Sequence, residues 1–171
     1  MRLSFLLLIS LTITFTASAQ PDSGTPPAND TLAPYQKNPF IPTFSIQQPD
    51  SGWFSNSNLQ AKKPTLILYF SPDCGHCQVE TEEILGKIRE LSNLQIVMIT
   101  SRPFEDMVRF ADHYKINRFP TIKIGNDPSR RITRFYDVKF TPFSALYDKK
   151  GKLIKVYDQG INMDELIGLV K

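Results

Sequence analysis

Two cysteines separated by two residues follow a strand-like apolar segment, and this arrangement constrains the fold more than any other feature. Leu66–Phe70 is continuously apolar, which is typical of a strand buried at the centre of a sheet. A short link leads from it to Cys74 and Cys77, the only cysteines in the chain, and an amphipathic segment follows them. The pattern predicts a strand, a turn and a helix, with both thiols at the start of that helix.

The spacing of the two cysteines points to chemistry rather than to a structural crosslink. A disulfide between Cys74 and Cys77 would close a very small loop, and the stabilisation from loop closure grows with loop length. A thiol at a helix N-terminus faces unpaired N–H groups and the positive end of the helix dipole. Such settings lower a thiol pKa from about 8.5 into a range of about 3.5 to 7.5. We therefore interpret the pair as a redox-active dithiol, with Cys74 as the nucleophile and Cys77 as the resolving thiol.

The first residues have the pattern of a targeting segment. Arg2 precedes a mostly apolar stretch at 3–15, and Ala17-Ser18-Ala19 is a small-x-small cleavage signal. We expect a signal peptide over residues 1–19, because 13 apolar residues are few for a membrane span of about 20. The alternative is an uncleaved membrane anchor. Residues 20–38 are rich in proline and polar residues, which predicts a flexible linker before a domain at 39–171.

The charge balance gives no argument for a nucleic-acid partner. The chain has 20 Lys and Arg against 17 Asp and Glu. The lysines at 149–155 fall on a predicted hairpin, where lysines protect an edge strand from unwanted pairing. We expect a monomer that binds no nucleic acid and associates with a membrane only if the targeting segment is retained.

The apolar patterns predict alternating strands and helices, followed by a hairpin and a last helix. In chain order these elements are a short edge strand at 44–46, a strand at 64–71, a helix at 80–91, a strand at 94–100, a helix at 103–114, an ambiguous segment at 119–124, a hairpin of 143–147 with 152–157, and a helix that begins after Asn162. Trp53 and Phe54 are expected to pack in the core. This order predicts an α/β fold with a central mixed sheet and helices on both faces.

The same order of elements, with the dithiol at the first strand–helix junction, resembles the thioredoxin fold. The closer resemblance is to exported, TlpA-type thiol-disulfide oxidoreductases. It rests on Tyr69–Cys77, on Glu80 shortly after the second cysteine, and on Phe140–Phe143 followed by the hairpin. The helical segment near 103–137 resembles the insertion that this group carries before its cis-proline. The resemblance covers roughly residues 39–171.

The resemblance also implies roles for residues outside the dithiol. It implies that Glu80 exchanges a proton with the Cys77 thiol, and the alternative is a solvent-facing member of an acidic run. It implies that Pro142 is the cis-proline opposite the dithiol, which leaves the Thr141 backbone free to pair with an extended substrate. The alternative for Pro142 is an ordinary trans-proline at the start of a strand.

The two residues between the cysteines are interpreted as modulators of the thiol. Gly75 allows a partner backbone to approach closely, and His76 places a dipole or a charge beside the Cys74 thiolate. The alternative for His76 is an inert, exposed spacer. The Gly-His spacer matches protein disulfide isomerase and favours oxidation or isomerisation, whereas the TlpA resemblance favours reduction. The buried acid of thioredoxin would fall at Leu68, which cannot titrate.

These features predict an exported thiol-disulfide oxidoreductase that acts on protein thiols and disulfides and exchanges electrons with an upstream thiol–disulfide partner. The alternatives are a peroxiredoxin-like peroxidase and a copper-binding metallochaperone. The peroxidase is disfavoured because this chain has Ser71 where a peroxidase needs threonine, and Ile67 where it needs proline. A structural metal site wants four ligands, and beyond the dithiol motif the chain offers only a distant His113. We therefore expect no metal and no cofactor besides the Cys74–Cys77 disulfide.

Overall fold

A computed structural model describes residues 32–171 and places them in a seven-stranded sheet with helices on both faces. The elements in chain order are α1 (Pro34–Lys37), β1 (Ser45–Gln47), β2 (Trp53–Ser55), β3 (Thr65–Tyr69), α2 (Gly75–Gly86), β4 (Gln95–Thr100), α3 (Phe104–His113), β5 (Ile122–Asn126), α4 (Arg131–Tyr136), β6 (Phe143–Tyr147), β7 (Leu153–Tyr157) and α5 (Met163–Val170). The expected signal peptide and the expected linker up to residue 31 lie outside the described residues.

The sheet is mixed, as the order of elements predicted. Its strands lie in the order β2-β1-β5-β4-β3-β6-β7. Strands β3, β4 and β5 are parallel neighbours, whereas β6 and β7 run antiparallel to their neighbours. The helix α2 connects the parallel strands β3 and β4. The dithiol at its start therefore lies beyond the carboxyl end of β3, in the middle of the sheet.

Residues of the central strand alternate between two apolar cores. Leu66 and Leu68 contribute to the core beneath α2, α3 and α5, whereas Ile67 contributes to the core beneath α4. Cys77 belongs to the first of these cores. Burying a leucine or isoleucine side chain stabilises the folded state by roughly 1.5–3 kcal/mol. The buried strand β3 therefore holds the start of the following loop in a fixed position.

The first two strands differ from the sequence prediction. Residues 44–46 were expected at the edge of the sheet, but β1 lies between β2 and β5, and β2 forms the edge. Neighbouring residues of a strand point to opposite faces, so Phe54 is buried while Trp53, also expected in the core, is 58% exposed. A Cβ on Gly125 of β5 would lie 2.9 Å from the Gln47 carbonyl oxygen, so glycine is what allows β1 to approach.

One helix has other bounds than predicted, part of the expected linker is helical, and the ambiguous segment is resolved. Helix α2 covers Gly75–Gly86 rather than 80–91, because its first turn consists of the motif residues, which have no apolar periodicity. Residues 34–37 of the expected linker form a helical turn, and Tyr35 packs with its ring centroid 5.8 Å from that of Tyr136. The ambiguous segment ends in a strand, β5. Between β4 and the hairpin, the expected insertion holds α3, β5 and α4.

The hairpin and the last helix form as predicted. Gly151 has a φ of +75° at the turn between β6 and β7, which favours glycine. The Asn162 side chain accepts a hydrogen bond from the Glu165 N–H at 3.0 Å and so caps α5. Within residues 32–171, no helix is both long and apolar enough to cross a bilayer.

Candidate active site

The dithiol lies at the start of α2, where the sequence placed it. Cys74 is the N-cap residue, and its carbonyl accepts the first helical hydrogen bond from the Gln78 N–H at 3.1 Å. Its own N–H donates to the Ser71 carbonyl at 3.1 Å, which fixes the turn out of β3. Cys74 is partly exposed and Cys77 is buried, and both are free thiols. The two sulfurs therefore occupy different environments within one helical turn.

A loop from a distant part of the chain lies against Cys74. Strands β3 and β6 pair antiparallel with Tyr69 opposite Phe143, so the residues before β6 meet the residues after β3. The Cys74 thiol donates a hydrogen bond to the Thr141 carbonyl at a sulfur–oxygen distance of 3.5 Å. The Thr141–Pro142 peptide bond is cis. The structure thus brings the predicted nucleophile and the predicted substrate-binding residues together.

The environment of Cys74 favours its thiolate. Burial raises the pKa of Cys74, but hydrogen bonds from the Cys77 thiol and N–H, from the Thr141 hydroxyl and from the His76 N–H together lower it below its ordinary value. These backbone donors are the unpaired N–H groups of the first helical turn. The His76 side chain is exposed, and it is the backbone N–H of this residue that stabilises the thiolate.

The environment of Cys77 favours its neutral thiol. Burial, and after it the neighbouring Cys74, raise the pKa of Cys77 to about 12. The Ser71 N–H donates to the Cys77 sulfur at 3.5 Å and opposes this rise only in part. Cys77 therefore holds its proton under conditions in which Cys74 releases one.

Glu80 points into the protein and not into solvent. It lies one turn beyond Cys77 on α2 and is 4% exposed, so the alternative of a solvent-facing acid is wrong. Its Oε2 accepts the Ile161 N–H at 2.8 Å, and its Oε1 accepts the Ser144 hydroxyl at 3.3 Å. Burial raises the pKa of Glu80, and the nearby Glu83 charge raises it as well. The two hydrogen bonds lower this pKa, but the net shift is upward.

The position of Glu80 also explains how a leucine can stand at position 68. Leu68 is paired directly with Ser144 in the β3–β6 ladder, so the two side chains lie on the same face of the sheet. Because Ser144 donates to Glu80, the carboxyl from α2 lies beside the strand position where thioredoxin has its acid. In this chain the carboxyl beside that strand position comes from the helix α2.

A surface cleft of about 560 Å³ opens beside the dithiol. It is lined by His76, Val79, Glu80, Glu83, Thr141, Pro142 and residues 158–162. A Cβ built on Gly75 would meet no protein atom within 4 Å, so the space above the motif is open to a partner. The sequence prediction did not include Ser144 or the loop at 158–162, which reach Glu80 only through the tertiary fold. In the described part of the chain, no three His, Cys, Asp or Glu side chains form a group suited to a metal ion.

The fold is thioredoxin-like, and the paired cysteines lie at the start of its helix α2. A model of the AhpC/TSA family matches residues 39–163, and the chain belongs to this family. No match was found among curated proteins.

Solved structures of redox proteins share the fold. A secreted disulfide oxidoreductase from Mycobacterium tuberculosis is 22% identical, with 74% of this chain and 93% of that chain covered and a TM-score of 0.62. A thiol-disulfide oxidoreductase from Bacteroides fragilis is 16% identical, with coverages of 76% and 98% and a TM-score of 0.64. A thiol peroxidase from Chromobacterium violaceum is 15% identical, with coverages of 76% and 82% and a TM-score of 0.63. At these identities the likeness shows the fold alone.

We predict that iodoacetamide modifies Cys74 of the reduced, native protein at pH 7 much faster than Cys77. The reason is that the pKa of Cys74 is lowered whereas that of Cys77 is raised to about 12. Tandem mass spectrometry after timed quenching measures both rates, and the Cys74 rate should reach half its maximum below pH 8.5, roughly the pKa of a free cysteine. Denatured protein is the control, in which both thiols should react alike. Equal native rates would contradict the described asymmetry.

We predict that Glu80→Gln stabilises the reduced protein at pH 7 by about 1 kcal/mol, the usual scale of a point substitution. Because folding raises the pKa of Glu80 above 4.5, the folded state binds this proton more tightly than the unfolded state. Proton binding by Glu80 therefore stabilises the folded state below pH 4.5, and this stabilisation is lost as the pH rises through the pKa of Glu80 in the folded protein.

Urea unfolding at pH 4 and pH 7 measures this effect. The gain from Glu80→Gln should be present at pH 7 and small at pH 4. Glu105→Gln is the matched control: it removes an exposed carboxylate from the first turn of α3, where the helix dipole favours a negative charge, so at pH 7 it should lower the free energy of unfolding, opposite in sign to Glu80→Gln. A difference of the same size at both pH values would show that hydrogen bonding, and not charge, is responsible.

Proposed function

We propose that this protein is an exported thiol-disulfide oxidoreductase of the TlpA type that exchanges disulfides with protein substrates through Cys74 and Cys77. The observation that carries the proposal is the opposite shift of the two thiol pKa values within one helical turn, beside Thr141 and Pro142. A structural pair of cysteines needs no such asymmetry, whereas disulfide exchange needs one thiolate and one protonated reserve thiol.

In the first step the Cys74 thiolate attacks one sulfur of a partner disulfide. The partner S–S bond breaks, its second sulfur leaves as a thiolate, and a mixed disulfide joins Cys74 to the partner. The donors that lower the pKa of Cys74 hold the attacking sulfur in place, and the Thr141 backbone pairs with the partner chain as an added strand would.

In the second step Cys77 must lose its proton before it can attack Cys74. Glu80 accepts that proton, since its carboxyl lies one turn away and its raised pKa brings it nearer to that of the thiol. The Cys77 thiolate attacks the Cys74 sulfur, the partner leaves as its second thiolate, and a Cys74–Cys77 disulfide forms. Two electrons have passed to the partner, and an upstream dithiol restores the reduced protein.

The direction of exchange depends on the reduction potential of the Cys74–Cys77 couple. Related dithiols range from about −270 mV, typical of a reductant, to about −120 mV, typical of an oxidant. The same steps run backwards oxidise a substrate dithiol. Equilibration with glutathione buffers measures this potential and assigns the direction.

We predict that Cys74→Ser abolishes insulin reduction in the presence of dithiothreitol, since it removes the attacking sulfur. Cys77→Ser is the matched control, because the same substitution one turn later should leave the first step intact. Once reduced and freed of dithiothreitol, this variant should accumulate a mixed disulfide between Cys74 and the substrate, which non-reducing electrophoresis and mass spectrometry detect.

Two other outcomes would support the competing functions. Hydrogen peroxide consumption that requires Cys74, without insulin reduction, would support a peroxidase like the thiol peroxidase that shares the fold. The geometry disfavours this, because the Ser71 hydroxyl donates to Asp73 rather than to Cys74. Tight copper binding by Cys74 and Cys77 without insulin reduction would support a metallochaperone.

We further propose that residues 1–19 direct export and that the mature domain acts as a periplasmic monomer. The support is the sequence pattern of Arg2, the apolar stretch at 3–15 and the Ala17-Ser18-Ala19 signal. N-terminal sequencing of protein isolated from cells should begin at Gln20. Protein that keeps Met1 and sediments with membranes would show instead that the segment tethers the domain.

A further inference from the structure

The surfaces on the two sides of Thr141 differ in chemical character, and this difference bears on the substrate of the proposed function. On one side lies the 560 Å³ cleft that reaches to residues 158–162, which we call the acidic cleft. On the other side lies a smaller depression of about 420 Å³ that includes Phe140, which we call the apolar ledge. Thr141 lines both of them, so a peptide that crosses Thr141 beside Cys74 would pass between the two surfaces.

Two carboxylates give the acidic cleft its character. Glu83 and Asp158 are exposed, and neither takes part in an ion pair among the described residues. Among the residues that the structure describes, no lysine or arginine lines this cleft. Lys87 lies in the adjoining depression, where it pairs with Glu90 at 3.2 Å. The whole chain has a net charge of +3, so the negative potential is local to the cleft and acts within a screening length of about 8 Å.

The wall of the acidic cleft suits a long basic side chain. Val79 is 54% exposed on α2, and Glu83 follows it at the i+4 position on the same helix face. A lysine or arginine can lay its aliphatic stem along Val79 while its charged end reaches Glu83 and Asp158. An acidic side chain at this place would face two carboxylates without compensation.

The apolar ledge suits a different side chain. Phe140 is 80% exposed and directly precedes Thr141. Lys139, the one lysine among the described residues that line the ledge, is paired with Asp137 at 2.6 Å, so its charge is already compensated. An apolar side chain of the partner that covers the Phe140 ring removes apolar surface from water.

We propose that the protein substrates carry a cysteine flanked by a basic residue on one side and an apolar residue on the other. This inference rests on the proposed exchange at Cys74. An extended peptide advances about 3.3 Å per residue, so the side chains that reach the two surfaces lie within a few positions of the reacting cysteine. The acidic cleft selects the basic flank, and the apolar ledge selects the apolar flank.

Synthetic peptides test the basic flank. Two peptides that are identical except for lysine or glutamate beside a single cysteine are converted to mixed disulfides with nitrothiobenzoate. The reduced, full-length protein attacks each one, and release of the coloured thiolate gives the rate constant. For the protein, the rate constant with the lysine peptide is divided by the rate constant with the glutamate peptide. The same ratio is measured with 2-mercaptoethanol, a neutral small thiol. Dividing the first ratio by the second corrects for the difference in intrinsic reactivity between the two peptides.

The lysine peptide should react about fivefold faster at low salt, and the preference should fall towards one at 1 M NaCl. The double variant Glu83→Gln/Asp158→Asn should lose most of this preference. Asp112→Asn is the matched control, because it removes an exposed carboxylate on α3 outside the cleft, and it should leave the ratio unchanged.

A second peptide pair tests the apolar flank. Peptides with leucine or glycine on the other side of the cysteine should differ in rate about threefold to tenfold, in favour of leucine. Phe140→Ala should remove this preference. Phe40→Ala is the matched control and should leave the preference for leucine unchanged. Phe40 is also exposed, at 52%, but it forms a backbone β-bridge with Lys152 beside β7, away from the ledge.

The outcomes separate this inference from the proposed function. Equal rates for both members of each pair, in a protein that still reduces insulin through Cys74, would overturn the inference alone. A preference that Asp112→Asn or Phe40→Ala removes as well would overturn it too. Failure of the protein to react faster than 2-mercaptoethanol with any peptide would overturn the proposed function.

Discussion

The antiparallel pairing of β3 with β6 is the constraint on which the site depends. Five pairs hold the two strands in register, from Thr65 opposite Tyr147 to Tyr69 opposite Phe143. The strand β3 leads into the dithiol, and Thr141 precedes the start of β6 by two residues. This register therefore brings the Cys74 thiol to the Thr141 carbonyl, although the two residues are 67 positions apart in the chain. A slip of one residue would turn every side chain of one strand to the opposite face. The buried apolar faces on both sides prevent that slip.

The chemistry of the dithiol follows from where the helix begins. Residues in the first turn of a helix face unpaired N–H groups, which stabilise a negative charge. The Cys74 thiolate is stabilised by these N–H groups and by a hydrogen bond from the Thr141 hydroxyl. Cys77 lies on the side of α2 that packs into the core, where desolvation dominates. Identical side chains thus acquire different acidities, because one helix end places one of them at the surface and the other inside.

The sequence carries the information that depends on local pattern. The strands at 65–69 and 95–100 are predictable because burial on both faces makes their central residues, 66–69 and 96–99, continuously apolar. The dithiol is predictable from its place between strand and helix. What depends on tertiary placement is not visible. The Ile161 N–H that binds Glu80 is a backbone group, and such groups leave no mark in the sequence. The order of β1 and β2 in the sheet depends on a contact at Gly125 that no local pattern encodes.

Cys77 and Glu80 are joined by a helix, and this fixes how the segment can vary in length. An α-helix turns roughly 100° per residue, with 3.6 residues per turn. One residue added or removed between the two would rotate the carboxyl away from Ser144 and from the amide of residue 161. The spacing between Cys77 and Glu80 is therefore constant, and insertions or deletions are tolerable only outside residues 77–80.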